Sequence, residues 1–307
     1  MAFERKSGKS LKISSKKYVL CCGALNNPEI LFNSDHIRKA LPQIGNFLMD
    51  HPMGNFFQYK YEKPKTAKIY SGIKVKQGIS MKIALKLNYR LKEKYGLANS
   101  SFYLRPSFSE GFNNHSEDLK NKLLTVRSKL KKFKLPFSEG IALMKDINIV
   151  AQIIQYKTGL LSRHSLTECM FVTEQRPSSL SKVFLTEKKN EFGNLKTEVN
   201  WQLSQDDINE VMNLKKFIDQ NIMIDNRGSS TYQASSNQWK NRLASAAHHL
   251  GTLRMSKDAN TGCVDRNLKL HGFQDIFVCD GSVFPTSGNA NPTMTCMALA
   301  SKLGKWL

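Results

Sequence analysis

At 307 residues the chain has room for about two domains of ordinary size, and its 40% hydrophobic, 9% aromatic and 23% charged residues are those of a folded protein. Disordered tails, collagens and short-repeat solenoids are excluded. The 46 Lys and Arg against 25 Asp and Glu leave a net charge of +21, which attracts polyanions, yet the lysines are spread along the chain and never alternate with aromatic residues as in a recognition module. No specific nucleic-acid partner is expected.

Lys16 to Cys22 reads as a short, fully buried strand that turns through Gly23 into a helix starting near Pro28. Such a strand-turn-helix unit is the building block of doubly wound α/β domains, in which the loop after the strand faces the ligand. Although lysines precede the apolar run from Tyr18 to Leu25, that run leads straight into a helical pattern and fits a strand better than a signal peptide. It is also far short of the roughly 20 residues of a membrane-spanning helix, so no transmembrane segment is expected.

From Phe56 to Phe108 short alternating segments broken by Pro64, Gly72 and Gly78 predict antiparallel sheet. The apolar spacing of Leu119, Leu123, Leu124, Val126, Leu130 and Phe133 predicts an amphipathic helix over 116–134. Further strands are expected at 149–156, 167–173, 181–187 and 196–202, the last two joined by a glycine-containing hairpin loop at 190–194. Ser204, with Asp206 and Asp207 behind it, heads a helix running to about Ile224. The polar residues 226–238 read as a surface loop.

The six cysteines, Cys21, Cys22, Cys169, Cys263, Cys279 and Cys296, form no CxxC pair and no dense framework. They read as thiols of a reducing compartment, and a cytoplasmic location is expected.

The chemistry is concentrated after Ala247. Ile276 to Cys279 forms a short strand ending at Asp280-Gly281-Ser282, where a glycine lets backbone amides approach a ligand closely. A second loop, Gly288 to Pro292, opens a helix from Met294 to Leu303 whose N-terminus can present amides to a polar ligand edge. The pair His248-His249 is compatible with core histidines, a metal site or a general base. Neither HExxH nor a CxxC companion accompanies it, which removes the zinc-hydrolase reading, and no GxSxG elbow supports nucleophilic hydrolysis. A histidine base beside loops suited to a cofactor remains, with no metal expected.

The segment HHLGTLRM, followed by HGF, VCDGSVFPT, GNANPT and ALASKLG, closely resembles the C-terminal signature of the glucose-methanol-choline (GMC) oxidoreductases, FAD enzymes that oxidise alcohols. Upstream, YVLCCGALNNPEILFN at 18–33 and IGNFLMDHP at 44–52 are similar to family segments in the same order, as is 176–207. The stretch from about 60 to 170 matches by position and general character only.

The resemblance implies a fold and a set of roles. The fold is α/β plus α+β, with a partial FAD-binding, Rossmann-like domain at 1–54, a substrate domain with an antiparallel sheet at 55–238 and a return to the FAD domain at 239–307. His248, four residues before Thr252, falls on the family's base. Asn291 falls on the second active-site position, His or Asn in different members, and His249 is then a packing or supporting residue. Asp280, Gly281 and Ser282 fall on contacts to the ribityl and pyrophosphate region, Pro292 and Thr293 on the pyrimidine edge of the flavin, and Gly23 and Ala24 on the adenosine end.

The implied partner is a small alcohol, polyol or sugar that loses a proton to His248 and a hydride to the flavin. The family's GxGxxG turn for the FAD pyrophosphate does not occur in the sequence. A missing N-terminal FAD-domain half is therefore expected as a further partner, and a non-catalytic remnant or one subunit of a split enzyme with a basic binding surface is the alternative.

Overall fold

The computed structural model describes residues 2–3, 10–61, 73–76, 79–82, 84–107, 166–221, 228–233 and 243–307. β1 (Tyr18–Leu20) leads into α1 (Gly23–Phe32) and the short α2 (Asp35–Ala40). β2 (Pro52–Tyr61), β3 (Ile73–Lys76), β4 (Ile79–Lys82), β5 (Leu85–Lys86), α3 (Tyr89–Tyr95), β6 (Ser100–Ser107) and β7 (Leu166–Thr173) follow. Next come β8 (Lys182–Lys189), β9 (Leu195–Asn200), α4 (Gln205–Asn221) and β10 (Gly228–Gln233). β11 (Ile276–Val278), a 3-10 turn (Gly281–Val283) and α5 (Thr293–Trp306) complete the order. The helix expected at 116–134 and the strand expected at 149–156 lie outside the described residues.

Two compact units divide the chain, one from residues 1–52, 173–212 and 245–307, the other from 53–172 and 213–244. Residues 173–212 thus pack with the first and last segments of the chain, whereas the sequence boundaries placed them with 55–238. Backbone pairing accounts for it: Val183 N–H donates to the Gly45 carbonyl at 2.8 Å, and Leu48 N–H to that of Ser181 at 2.9 Å.

In the first unit β1 and β11 run parallel, with Tyr18 opposite Ile276 and Leu20 opposite Val278. Leu31, Leu41, Ile44 and Met49 pack with Leu250, Leu253, Val264, Leu270, Phe277 and Val283 in one apolar core. Burying a side chain of this size contributes about 1.5–3 kcal/mol, and Met49 and Leu250 anchor in this core the segments that carry Asp50 and His248.

β1 departs from its expected full burial, because Tyr18 and Val19 stay 39% and 41% exposed. Among the described residues its only strand partner is β11. α1 also starts earlier than expected, at Gly23, with Pro28 inside it. Pro28 has no N–H to give to the carbonyl of Ala24, four residues back, and the Thr252 hydroxyl donates to that carbonyl instead at 2.7 Å. A helix-breaking residue is accommodated by a residue from the far end of the chain.

The hairpin β8–β9 is antiparallel and closes where Asn190 N–H donates to the Asn194 carbonyl at 2.8 Å. α4 begins as expected with reciprocal capping: Asp207 N–H donates to Ser204 Oγ at 3.1 Å, while the Asp207 carboxylate accepts from the Ser204 N–H at 2.8 Å.

In the second unit the strands lie in the order β10-β2-β7-β6-β5, and the pairs β10–β2, β2–β7 and β5–β6 are antiparallel. β3 and β4 form a separate antiparallel pair. Residues 228–233, read from sequence as loop, are a strand of this sheet. Their polar composition hides a ladder that satisfies the backbone of β2, from Gly228 opposite Tyr61 to Gln233 opposite Phe57.

Candidate active site

Asp50 is the hub of the first unit's polar cluster. Buried to 1% exposure, its Oδ1 accepts from the backbone N–H of His51 at 2.6 Å and of His248 at 3.1 Å. Its Oδ2 accepts from the Ser245 hydroxyl, and His249 Nε2 stands 3.7 Å from the same oxygen. One carboxylate therefore fixes two chain segments that lie 198 positions apart. Charge-assisted bonds of this kind are about twice as strong as neutral ones.

The approach to His248 is bent to reach this hub. Ala247 sits at φ 59°, a left-handed conformation that costs a non-glycine residue roughly 1–2 kcal/mol, and it gives its N–H to Ser245 Oγ at 2.9 Å. Just beyond, Gly251 at φ 87° lies so close to its neighbours that a Cβ would come within 2.4 Å of the Phe47 carbonyl oxygen. Only glycine fits there, and the histidine pair is held between these two tight points.

The ring of His248 is half-buried, and its Nδ1 lies 3.1 Å from Nδ1 of the fully buried His51. The other nitrogen of His51, Nε2, lies 3.1 Å from the carbonyl oxygen of Ser287. Burial pushes the His51 pKa below its ordinary value, opposed by the Ser287 carbonyl and assisted by the neighbouring His248.

Beneath them, Gln175 is fully buried. Its Oε1 accepts from Asp50 N–H at 2.9 Å and from Trp201 Nε1 at 2.8 Å, and the Ser287 hydroxyl bonds the Gln175 backbone on both sides, donating to its carbonyl and accepting from its N–H at 3.0 Å each. This layer ties the loop before α5 to the Asp50 hub.

A second cluster joins β11 to the start of α1. Asp280 Oδ2 accepts from Gly23 N–H at 2.8 Å and from Asn27 Nδ2 at 2.7 Å, and its Oδ1 accepts from Ser282 N–H at 2.8 Å and Ser282 Oγ at 2.6 Å. Ser282 and Asn27 are fully buried and Ala24 nearly so. Of the residues that the family resemblance implies for the cofactor, Gly23, Asp280 and Gly281 are partly accessible, whereas Ala24 and Ser282 are buried.

Asn291 and Thr293 are exposed and Pro292 partly so, at the head of α5. Among the described residues no side chain caps that helix, which leaves its first-turn amides able to meet a polar group. The structure links this loop to His248 through Ser287 and His51, and it records no direct hydrogen bond between Asn291 and His248.

The sequence reading did not single out Asp50, His51, Gln175 and Ser287, which the structure joins to His248 through one hydrogen-bond network. A signal existed for the first two, since they stand together as Asp50-His51-Pro52 within one of the segments that carried the family resemblance.

Models of the GMC oxidoreductase family match residues 1–53 and 177–300. Dehydrogenase str4 of Strobilurus tenacellus is 36% identical over 58 residues, covering 19% of this chain and 9% of that protein. The long-chain-alcohol oxidase FAO4B of Arabidopsis thaliana is 36% identical over 55 residues, covering 18% of this chain and 7% of that protein.

The structure is similar to that of pyridoxine 4-oxidase from Mesorbium loti with a TM-score of 0.53 and 16% identity, covering 98% of this chain and 53% of that one. The chain thus spans about half the length of that enzyme. GMC oxidoreductases are FAD-dependent flavoproteins with a cofactor domain and a substrate domain. With both family models matched in order, and with a fold shared along nearly its whole length, the chain belongs to the GMC oxidoreductase family.

Proposed function

We propose that this protein acts in the FAD-dependent oxidation of CH–OH groups of a small alcohol, polyol or sugar, with His248 as the base that takes the hydroxyl proton. The observation that carries the proposal is the way His248 is held: its backbone by the Asp50 carboxylate, its Nδ1 by His51, and its ring half-buried with Nε2 in no hydrogen bond among the described residues. A base positioned in this way contributes roughly 10²–10⁴-fold to a proton-transfer step. Asn291 would hydrogen-bond the substrate oxygen and stabilise negative charge developing there.

The residues present are compatible with the flavin. The uncapped head of α5 offers amides from Thr293 onward for the pyrimidine edge, and Pro292 fixes the chain before it. At Gly23 no atom of the described residues lies within 4 Å of where a Cβ would stand, which leaves space for the adenosine end. Asp280, through Gly23 and Ser282, orients the two turns rather than spending its charge on the ligand. When bound, the flavin supplies the hydride acceptor for the carbinol carbon.

The pyrophosphate needs a glycine turn that these residues do not contain, so FAD binding is proposed to require a further segment carrying one. A cytoplasmic location is kept as a proposal on the cysteine pattern; among the described residues no helix is long and apolar enough to cross a membrane.

The test is turnover of an alcohol panel by His248→Ala and His249→Ala, each supplied with a glycine-turn FAD segment. A loss of about 10²-fold or more confined to His248→Ala is expected. Full activity of that variant, with His249→Ala inactive, would assign the base to the other histidine.

A further inference from the structure

Two imidazoles whose Nδ1 atoms face each other at 3.1 Å need one proton between them, and the surroundings decide which ring carries it. Ser287 offers His51 Nε2 a carbonyl oxygen, which only accepts, so Nε2 of His51 is the protonated nitrogen. His51 is fully buried, and burial disfavours its cation, leaving the ring neutral at pH 7 with a bare lone pair on Nδ1. The proton at the contact then belongs to Nδ1 of His248.

The consequence falls on the far side of the His248 ring. With its proton on Nδ1, neutral His248 has an unprotonated Nε2, the nitrogen that takes part in no hydrogen bond among the described residues. We propose that His51 is a positioning residue that, seated on the Ser287 carbonyl, holds His248 in its Nδ1–H tautomer and so presents Nε2 as a ready proton acceptor. The inference rests on the reading of His248 as the base and adds to it the atom that does the work and the residue that selects it.

The same bond survives proton uptake. When Nε2 takes a proton, Nδ1–H stays in place and the lone pair of His51 faces the new imidazolium, so the rings need no rearrangement. Asp50 contributes by orientation, through the backbone N–H groups of both histidines, and by its negative charge. The groups that act on His51 are His248, Asp50, Glu174 and the Ser287 carbonyl, and none presents a second acceptor to its Nδ1 face in the bonds the structure records.

Nitrogen-15 histidine spectra of the full chain at pH 7.5 test this directly, because long-range couplings separate a protonated from a bare ring nitrogen. The chain has 7 histidines, and His248→Ala and His51→Ala assign the two signals of interest by their disappearance. The expected pattern is His51 protonated at Nε2 alone and His248 at Nδ1 alone. In folded His51→Ala, His248 should lose this pattern and shift toward the Nε2–H form that free imidazoles favour, while His271 is unmoved.

Should His51→Ala fail to fold, the wild-type spectrum still decides. His248 protonated at Nε2 alone, or His51 protonated on both nitrogens, would overturn the proposal. The spectrum reads the ring proton and not turnover, so an active His248→Ala enzyme would refute the base assignment while leaving the tautomer lock standing.

Discussion

Replacing Asp280 by Ala should cost stability first and cofactor affinity second. The carboxylate accepts four hydrogen bonds at 2.6–2.8 Å, from Gly23, from Asn27 and twice from Ser282. Gly23 is partly accessible, and water can replace part of that bond, but the amide of Asn27 and the hydroxyl of Ser282 are fully buried.

Each buried donor left without its partner costs about 1–3 kcal/mol, and Asn27 Nδ2 keeps only its long bond to Ser282 Oγ at 3.4 Å, so the pair sets the loss at about 4 kcal/mol. For a unit of this size that corresponds to a fall in Tm of roughly 8–16 °C. Asp280→Asn keeps the shape and one acceptor oxygen while turning an N–H toward donors, and should lose about half as much. Urea unfolding monitored by tryptophan fluorescence, with hydrogen exchange at 23–32, measures both. Were Asp280→Ala to lose less than about 1 kcal/mol while its flavin affinity collapsed, the carboxylate would be a ligand contact and the tether argument would be refuted.

Gly251→Ala forces a Cβ to within 2.4 Å of the Phe47 carbonyl at a φ of 87°, and should destabilise by about 3 kcal/mol or more in the same unfolding assay. Thr252→Val, of equal volume, leaves the Ala24 carbonyl unpaired and should cost about 1–2 kcal/mol; an unchanged midpoint would show that Pro28 needs no such partner. On the proposed reaction, Asn291→Asp puts a negative charge beside the developing alkoxide and should suppress turnover at unchanged Tm, whereas lost Tm with full turnover would make Asn291 a local structural residue. Because burial lowers the pKa of His51 in the folded chain, the unfolded chain binds more protons below its ordinary value of 6.5. The stability tied to neutral His51 is therefore present above about pH 6.5 and lost as pH falls through the folded pKa, and His51→Gln should flatten that slope.

The strand and helix around Asp280 and the head of α5 were legible because local signals agreed there: an apolar run, a glycine turn and a helical repeat in succession. His248 stood out through its motif, and the structure ties it to Asp50 and His51. The Asp50 hub was not, since its meaning lies in bonds to Gln175, Ser245 and His248, and no local pattern reports which distant backbone N–H groups a carboxylate will meet. Ser282 read as a ligand contact from its place in a motif, while its buried hydroxyl also accepts from Asn27, 255 positions away. The start of α1 was misplaced for a similar reason: proline at an N-terminus is the local rule, and only Thr252 makes it tolerable further inside. Residues 228–233 lacked apolar alternation, so a strand defined by its partner went unseen.

Asp50 and the backbone it binds at His248 also set a timetable. Synthesis at roughly 5–20 residues per second separates the emergence of these two partners, 198 positions apart, by about 10–40 s. During that interval Leu31, Leu41, Ile44 and Met49 have left the ribosome while Leu250, Val264 and Phe277, against which they pack, have yet to be made. The nascent chain carries half an apolar core, long enough for a chaperone to bind many times over. Yield in a cell is then governed by how well that waiting half is shielded, and a chain ending before Leu250 should collect in the insoluble fraction.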